Sequence, residues 1–339
     1  SDVCSSDLLV NGPLGDPGLF IPFIFEKRAV LFDLGDIHVL SSRDTLKITH
    51  VFVTHTHMDH FVGFDRLLRL CLGRDKHLVL YGPQGFLANI QGKLDGYTWN
   101  LVENYAAEFA LEVHEVQPER VLTRLFACRE RFQPAARVEE RPFDGILLEE
   151  PALRVEARLL DHGIPCLGFA LSQRFHISIL KARLEEMGLA VGPWLRDFKQ
   201  EIYRRLSPDG ALHKPAEGLH QQDSKPDRPP AAGHEAEERL FEVPAAGGSR
   251  AFELFDLAQR IAMITPGQKI AYITDAAYTQ ENADRMIALA RGASHLFIEA
   301  AFMDEDREAA EAKKHLTARQ AGLIARQAGA RQTTLFHFS

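Results

Sequence analysis

Cysteine is sparse in this 339-residue chain, and tryptophan sparser still: four residues and two. The cysteines (Cys4, Cys71, Cys128 and Cys166) form no CxxC pair. That spacing excludes a disulfide framework and fits a reducing compartment, so the cytoplasm is the expected location. No apolar run approaches the roughly 20 residues of a membrane span, and no membrane partner is expected. A basic excess is missing as well. Lys and Arg number 39 against 47 Asp and Glu, for a net charge of -8. Any nucleic-acid affinity must therefore come from a local patch, not the mean field. The opening "SDVCSSDLLV" has neither a basic n-region nor an apolar h-region, so it is no signal peptide. Residues 1–8 read as non-native, and no internal repeat is found.

What is present is ordinary for a globular protein, with 45% hydrophobic and 25% charged residues. "AVLFDLGDIHVL" (29–40) reads as a buried strand and a Gly-containing turn, and "ITHVFVT" (48–54) as a β-branched, aromatic strand. Phe64, Leu67, Leu68 and Cys71 recur at helical spacing, so a helix should begin near Asp59. "KHLVLYGP" is a strand, and "LRVEARLLDHGIPCLGFALS" gives two strands turning at 162–165. Strand "KIAYITDA", helix "ENADRMIALARGA", strand "HLFIEAAF", helix "LTARQAGLIARQAGA" and strand "QTTLFHFS" come next. Thr317 and Gln320 have capping-box spacing. Residues 101–150 mix signals without a clear period. Residues 174–206 read as two helices broken at Gly192-Pro193. Residues 207–250, rich in Pro, Gly, Ala and charge, read as a flexible linker. Alternating strands and helices imply an α/β or α+β class with a layered core.

The informative stretch is "VFVTHTHMDHFVGFDRLL" (51–68). His55 and His57 alternate with threonines and so share one face of an extended segment. Asp59 and His60 come where the chain turns into a helix. Four potential ligands thus converge at the C-terminal end of a strand. Imidazole nitrogen and carboxylate oxygen suit Zn²⁺, with Mn²⁺ or Fe possible. An ordinary His-rich surface turn rarely has this HxHxDH spacing.

"THTHMDH" resembles the metal motif of the metallo-β-lactamase superfamily. The resemblance implies a single domain over residues 9–339, a four-layer αββα sandwich, with a di-metal site at the sheet edge. It also implies further ligands, matched in order by His162 in "DHGIPCLGF", Asp275 in "YITDA" and His337 in "FHFS". On that basis His55, His57 and His162 would hold one metal. Asp59, His60 and His337 would hold the other, with Asp275 bridging two Zn²⁺ ions. The likeness sharpens to the ribonuclease Z family of tRNA 3′-processing endonucleases. "HTHMDHFVG", "DHGIPCLGF", "IEAAF", "KKHLTARQAG" and "FHFS" are each similar to its segments, whereas "ITDA" stands where the family usually has GDT. "EMGLAVGPWLRDFK" is similar to its GP-containing segment, implying an inserted tRNA-gripping arm over 174–250.

The implied reaction is metal-dependent hydrolysis of a phosphodiester, removing the 3′ trailer of precursor tRNA by attack of a metal-activated hydroxide. Asp59 would bind metal and accept a hydrogen bond from the nucleophile. His315 would be a general acid for the leaving 3′-oxygen. Lys181, Arg183, Arg196, Lys199 and Arg204, with Trp194 interleaved, are the candidate tRNA contacts, although Glu185, Glu186, Asp197 and Glu201 dilute the patch. A cytoplasmic homodimer acting on precursor tRNA is the expectation. The alternative is another hydrolase of the same fold acting on a small phosphodiester or a (thio)ester.

Overall fold

The computed structural model describes residues 8–23, 27–206, 240–245 and 248–338. The chain divides into two compact units, Ser1–Gln173 with Gln268–Ser339, and Arg174–Gly267. Most of the residues read as non-native at the start, and residues 207–239 of the expected linker, lie outside the described residues.

The larger unit holds two sheets. In the first, eight strands lie in sequence order: Leu8–Leu9, Leu19–Phe23, Arg28–Phe32, Ile48–Phe52, Lys76–Pro83, Phe109–Val116, Arg120–Ala127 and Glu139–Pro142. The four from Arg28–Phe32 to Phe109–Val116 run parallel. The second sheet has the order Gln332–Phe336, His295–Glu299, Lys269–Ile273, Pro165–Gln173, Leu153–Asp161, Ile146–Glu149. Its first three strands are parallel. Residues 101–150, opaque in the sequence, contribute the last three strands of the first sheet and the edge of the second.

Three apolar layers separate these elements. Between the sheets lie Phe32, Phe52 and Tyr81 from one and Phe169, Tyr272 and Phe336 from the other. Phe32 sits 5.3 Å from Phe52 and 5.7 Å from Tyr272, ring to ring. Each such fully buried side chain contributes about 1.5–3 kcal/mol relative to exposure. On the outer face of the first sheet, helices Phe64–Cys71 and Phe86–Asp95 bury Phe64, Leu67, Phe86 and Ile90. On the outer face of the second, helices Gln280–Ala290 and Ala318–Ala328 bury Met286, Leu289 and Ile324. The layers are helix, sheet, sheet, helix. Helix Ala318–Ala328 begins with the expected capping box between Thr317 and Gln320.

Parallel strands end at the same edge, so the residues just beyond their C-terminal ends meet there. Asp33 succeeds Arg28–Phe32, His55 lies past Ile48–Phe52, Asp275 past Lys269–Ile273 and His337 past Gln332–Phe336, while Glu299 ends its own strand. His162 comes to this edge in the turn between Leu153–Asp161 and Pro165–Gln173. A bond from Leu167 N–H to Thr54 O at 2.9 Å joins the two sheets beside it.

The helix expected from Asp59 is split into Met58–Phe61 and Phe64–Cys71 around Gly63. The cause is a close backbone approach. Gly63 N–H bonds Leu34 O at 2.8 Å, and Leu34 N–H bonds His60 O at 2.8 Å. A Cβ on Gly63 would collide with the Gly35 carbonyl oxygen, and one on Gly35 would lie 2.6 Å from the Asp59 carbonyl oxygen. Only paired glycines let these two loops meet.

The smaller unit pairs Phe175–Ile179 antiparallel with Ala262–Pro266. It also holds helices Lys181–Glu186, Trp194–Arg205 and Leu254–Ile261, and a hairpin of Phe241–Ala245 with Gly248–Phe252. The expectation of two helices over 174–206 is corrected at its start. β-Branched Ile177 and Ile179 alternate in "FHISI", which favours strand pairing over helix.

Candidate metal centre

Seven side chains meet at the sheet edge. The candidate ligand atoms of His55, His57, His162 and Asp275 lie within 4.8 Å of one another, as do those of Asp59, His60 and His337. Asp275 stands at the centre. Its Oδ2 is 3.7 Å from His55 Nε2, 3.6 Å from His60 Nε2 and 3.6 Å from His162 Nε2, while Oδ1 is 2.7 Å from His337 Nδ1. Asp59 Oδ2 faces His60 Nε2 at 3.5 Å and His337 Nε2 at 3.3 Å.

The donor set fits a divalent metal. His55 Nε2 and His60 Nε2 are buried without a hydrogen-bond partner. Leaving such atoms unpaired costs about 1–3 kcal/mol each, unless something else satisfies them. Burial pushes the His55 imidazole down to about 2, against the neighbouring carboxylate of Asp275, and so keeps its lone pair available. Burial also lowers His162. At His337 burial works against protonation, but the Asp275 and Asp59 carboxylates prevail and raise it to about 10. The reciprocal bond from His337, aided by His60, brings Asp59 down to about 2 despite burial. At His60 burial again opposes charge, and Asp33 and Asp275 outweigh it. This density of mutually stabilised charge is the electrostatic pattern of a functional site.

Outer partners fix the ligand rings. His60 Nδ1 donates to Asp33 Oδ2 at 3.0 Å, which turns Nε2 toward Asp275. His162 Nδ1 donates to the Lys314 carbonyl at 2.8 Å, with the same effect. Asp33 is fully buried and takes further bonds from Thr54 N–H (2.7 Å), Thr54 O–H (2.9 Å) and Tyr272 O–H (3.1 Å). Its backbone is left-handed, at φ 58. Non-glycine residues adopt this region with strain, and Asp among the most readily. Sequence reasoning passed over Asp33. The signal available was an ionisable residue ending an apolar run, with Leu-Gly directly after it.

A third cluster abuts the first two. Glu299 is fully buried, and its Oε1 accepts from Ala276 N–H at 2.8 Å and Leu316 N–H at 3.3 Å. Its Oε2 accepts from His315 Nδ1 at 2.9 Å. His315 Nδ1 also lies 3.9 Å from Asp275 Oδ2. Burial disfavours charge on His315, but the bond to Glu299 overrides it and raises the imidazole above its ordinary range. For Glu299 burial dominates and raises the carboxyl. His315 therefore comes to the cluster through Glu299, a residue the sequence did not single out as functional.

The residues expected to contact tRNA belong to the smaller unit. Lys181, Arg183, Arg196 and Arg204 are exposed. Arg183 pairs with Glu186 at 2.9 Å, Arg196 with Asp197 at 3.2 Å and Arg204 with Glu201 at 3.2 Å. Lys199 is half-buried. The expectation that Trp194 contacts tRNA is corrected. It is buried beside Phe198, and its indole N–H donates to Ala190 O at 2.8 Å. Trp194, Phe198 and Ile202 fall at i, i+4, i+8 and form the inward stripe of their helix.

A family model described as the beta-lactamase superfamily domain matches residues 235–338, a span that includes Asp275, Glu299, His315 and His337. The ribonuclease Z of Deinococcus radiodurans is 29% identical over 313 residues, covering 91% of this chain and 82% of that protein. The ribonuclease Z of Bacillus velezensis is 27% identical over 322 residues, covering 93% and 79%. Among solved structures, the metallo-beta-lactamase fold protein YhfI from Bacillus subtilis covers 97% of this chain and 85% of its own, at 14% identity and a TM-score of 0.50. This chain therefore has the metallo-β-lactamase fold and a His/Asp cluster able to hold divalent metal, and it is similar along 91% of its length to a ribonuclease Z.

Proposed function

We propose that this chain is a metal-dependent endoribonuclease that removes the 3′ trailer of precursor tRNA. The observation that carries the reading is the His315–Glu299 pair set directly against the ligand cluster. Such a pair supplies what phosphodiester cleavage needs beyond the metals, a proton for the leaving 3′-oxygen. The similarity to two ribonuclease Z proteins supports RNA as the substrate. His55, His57 and His162 would hold one ion, and Asp59, His60 and His337 a second, with Asp275 shared. Nitrogen and carboxylate donors of this kind favour zinc. When bound, such a pair supplies Lewis-acid charge and makes hydroxide available near neutral pH.

The chain's own residues do the rest. Asp59, held low by His337, stays ionised and accepts a hydrogen bond from the nucleophile. Glu299 orients His315 through Nδ1 and leaves Nε2 for the leaving oxygen. The bond to Glu299 raises His315 and so favours the protonated form that a general acid requires. The smaller unit is the proposed arm. Arg183, Arg196 and Arg204 form surface pairs with Glu186, Asp197 and Glu201, worth about 0–1 kcal/mol each, which a phosphate can displace.

The buried free thiols of Cys71, Cys128 and Cys166 support a reducing, cytoplasmic setting. No helix among the described residues is long and apolar enough to cross a membrane. A homodimer, implied by the family likeness, is read by light scattering. The deciding assay offers the metal-loaded protein a 3′-extended precursor tRNA, a small phosphodiester and a thioester. Cleavage of the tRNA at its 3′ trailer is expected. Turnover of the thioester with intact tRNA would overturn the reading.

A further inference from the structure

A cavity of about 400 Å³ opens beside the ligand cluster. Asp59 and Asp275 line it, so a phosphate monoanion entering there meets two carboxylates. Metal ions would compensate that charge at the cluster itself. Phosphate oxygens that point away from the cluster need a different cation. Among the described residues lining the cavity, Lys313 alone is a Lys or Arg.

Lys313 is not a loosely tethered surface lysine. It ends helix Arg307–Lys313, and its ammonium sits 5.4 Å from the centroid of the Phe302 ring, itself part of the cavity wall. That cation–π contact restrains a side chain that would otherwise sweep a wide volume. The backbone beyond it is pinned to the site. Lys314 turns left-handed at φ 63, its carbonyl accepts from His162 Nδ1, and His315 N–H donates to Ala310 O at 2.9 Å. The ammonium remains exposed, with its donors available.

We infer that Lys313 binds a non-bridging oxygen of the substrate's phosphate, with the Phe302 ring positioning its ammonium in the cavity. The assignment rests on the phosphodiesterase reading above and names a residue that reading does not use. A cation at this wall contributes mainly to substrate binding, since the bond-breaking groups lie at the metal cluster and His315.

The test compares Lys313→Met and Lys313→Arg with the parent chain, all metal-loaded, on precursor tRNA and on bis(p-nitrophenyl) phosphate, with inorganic phosphate as competitor. For Lys313→Met, KM on both substrates and the inhibition constant of phosphate should rise about tenfold, the lower end for a hydrogen bond to a charged group. Turnover should stay within about threefold, and the logarithmic salt slope on tRNA should fall by about one. Lys313→Arg should restore KM, and metal content should not change. If KM, phosphate inhibition and salt slope all match the parent while only the unfolding midpoint falls, Lys313 merely braces Phe302 and the inference is wrong. If the parent chain leaves tRNA intact, the endonuclease reading fails, while the small diester and phosphate still decide the role of Lys313.

Discussion

Asp33→Asn isolates the residue that the sequence concealed. The change is isosteric, and Asn tolerates the left-handed backbone at φ 58, so backbone strain is not added. What changes is the accepting capacity. Oδ2 of Asp33 accepts from His60 Nδ1–H, Thr54 O–H and Tyr272 O–H, and Oδ1 from Thr54 N–H. An amide oxygen can serve one of these sides only. Its NH₂ must face either the Thr54 N–H or the His60 ring. Thr54 N–H has a fixed direction, so the oxygen stays there and the amide nitrogen opposes His60. The ring then loses its anchor and its negative partner, and Nε2 is no longer held toward Asp275. Loss of such an outer partner typically costs about 10–100-fold in metal affinity, or about 1.4–2.8 kcal/mol. The loss should fall on the site built from His60 and spare the one built from His55, His57 and His162. Competition with a chromophoric chelator measures both affinities in one titration. Tyr272→Phe removes one donor and leaves the carboxylate, so it should shift affinity by under about threefold, the loss of one hydrogen bond. Asp33→Asn with both affinities within about twofold of the parent would refute the argument that Asp33 orients His60.

Three further outcomes are expected at the site, and one for the smaller unit. His315→Ala should keep its metals and lower turnover by about 10²–10⁴, with a smaller loss for a nitrophenolate leaving group; loss of a metal would make His315 a ligand. Glu299→Gln keeps the acceptor for Ala276 and Leu316 but removes the charge that raises His315. Burial then lowers the imidazole, the protonated form is lost at lower pH, and the alkaline limb of the turnover profile should move to lower pH; an unmoved limb would assign the acid elsewhere. Chelation should lower the unfolding midpoint reversibly, because it leaves buried His55 and His60 nitrogens unsatisfied; at about 100 times Kd each site contributes about 2.7 kcal/mol, and an unchanged midpoint would deny tight binding. Gln173 N–H bonds Gln268 O at 2.8 Å, so residues 174–267 can be replaced by a short turn. The excised protein should hydrolyse a small phosphodiester and fail on tRNA, whereas equal loss on both would make this unit structural.

The local sequence determined a good deal. Apolar runs bounded by turn residues located three of the four parallel strands of the first sheet and five of the six strands of the second, because a strand buried on both faces reads as a continuous apolar run. His55, His57, Asp59 and His60 lie within six residues, and alternation along an extended chain is enough to bring imidazoles to one face. The capping box at Thr317 is likewise a property of four consecutive residues. Other features needed the tertiary structure. Asp33 and Glu299 look like ordinary strand-end acids until the sheets bring His60 and His315 to them across 27 and 16 residues. Trp194 and its neighbours carry the composition of a nucleic-acid surface, and only packing decides that the rings face inward. Residues 101–150 lack a clear period because their strands differ from one another in burial, Phe109–Val116 being mostly buried and Glu139–Pro142 mostly exposed. Nothing in the local sequence marks Lys313, and only the fold sets a ring and a cavity wall beside it. Bonded neighbours fix periodicity and caps, but which charges share a pocket is set by strand order, and strand order is a property of the whole chain.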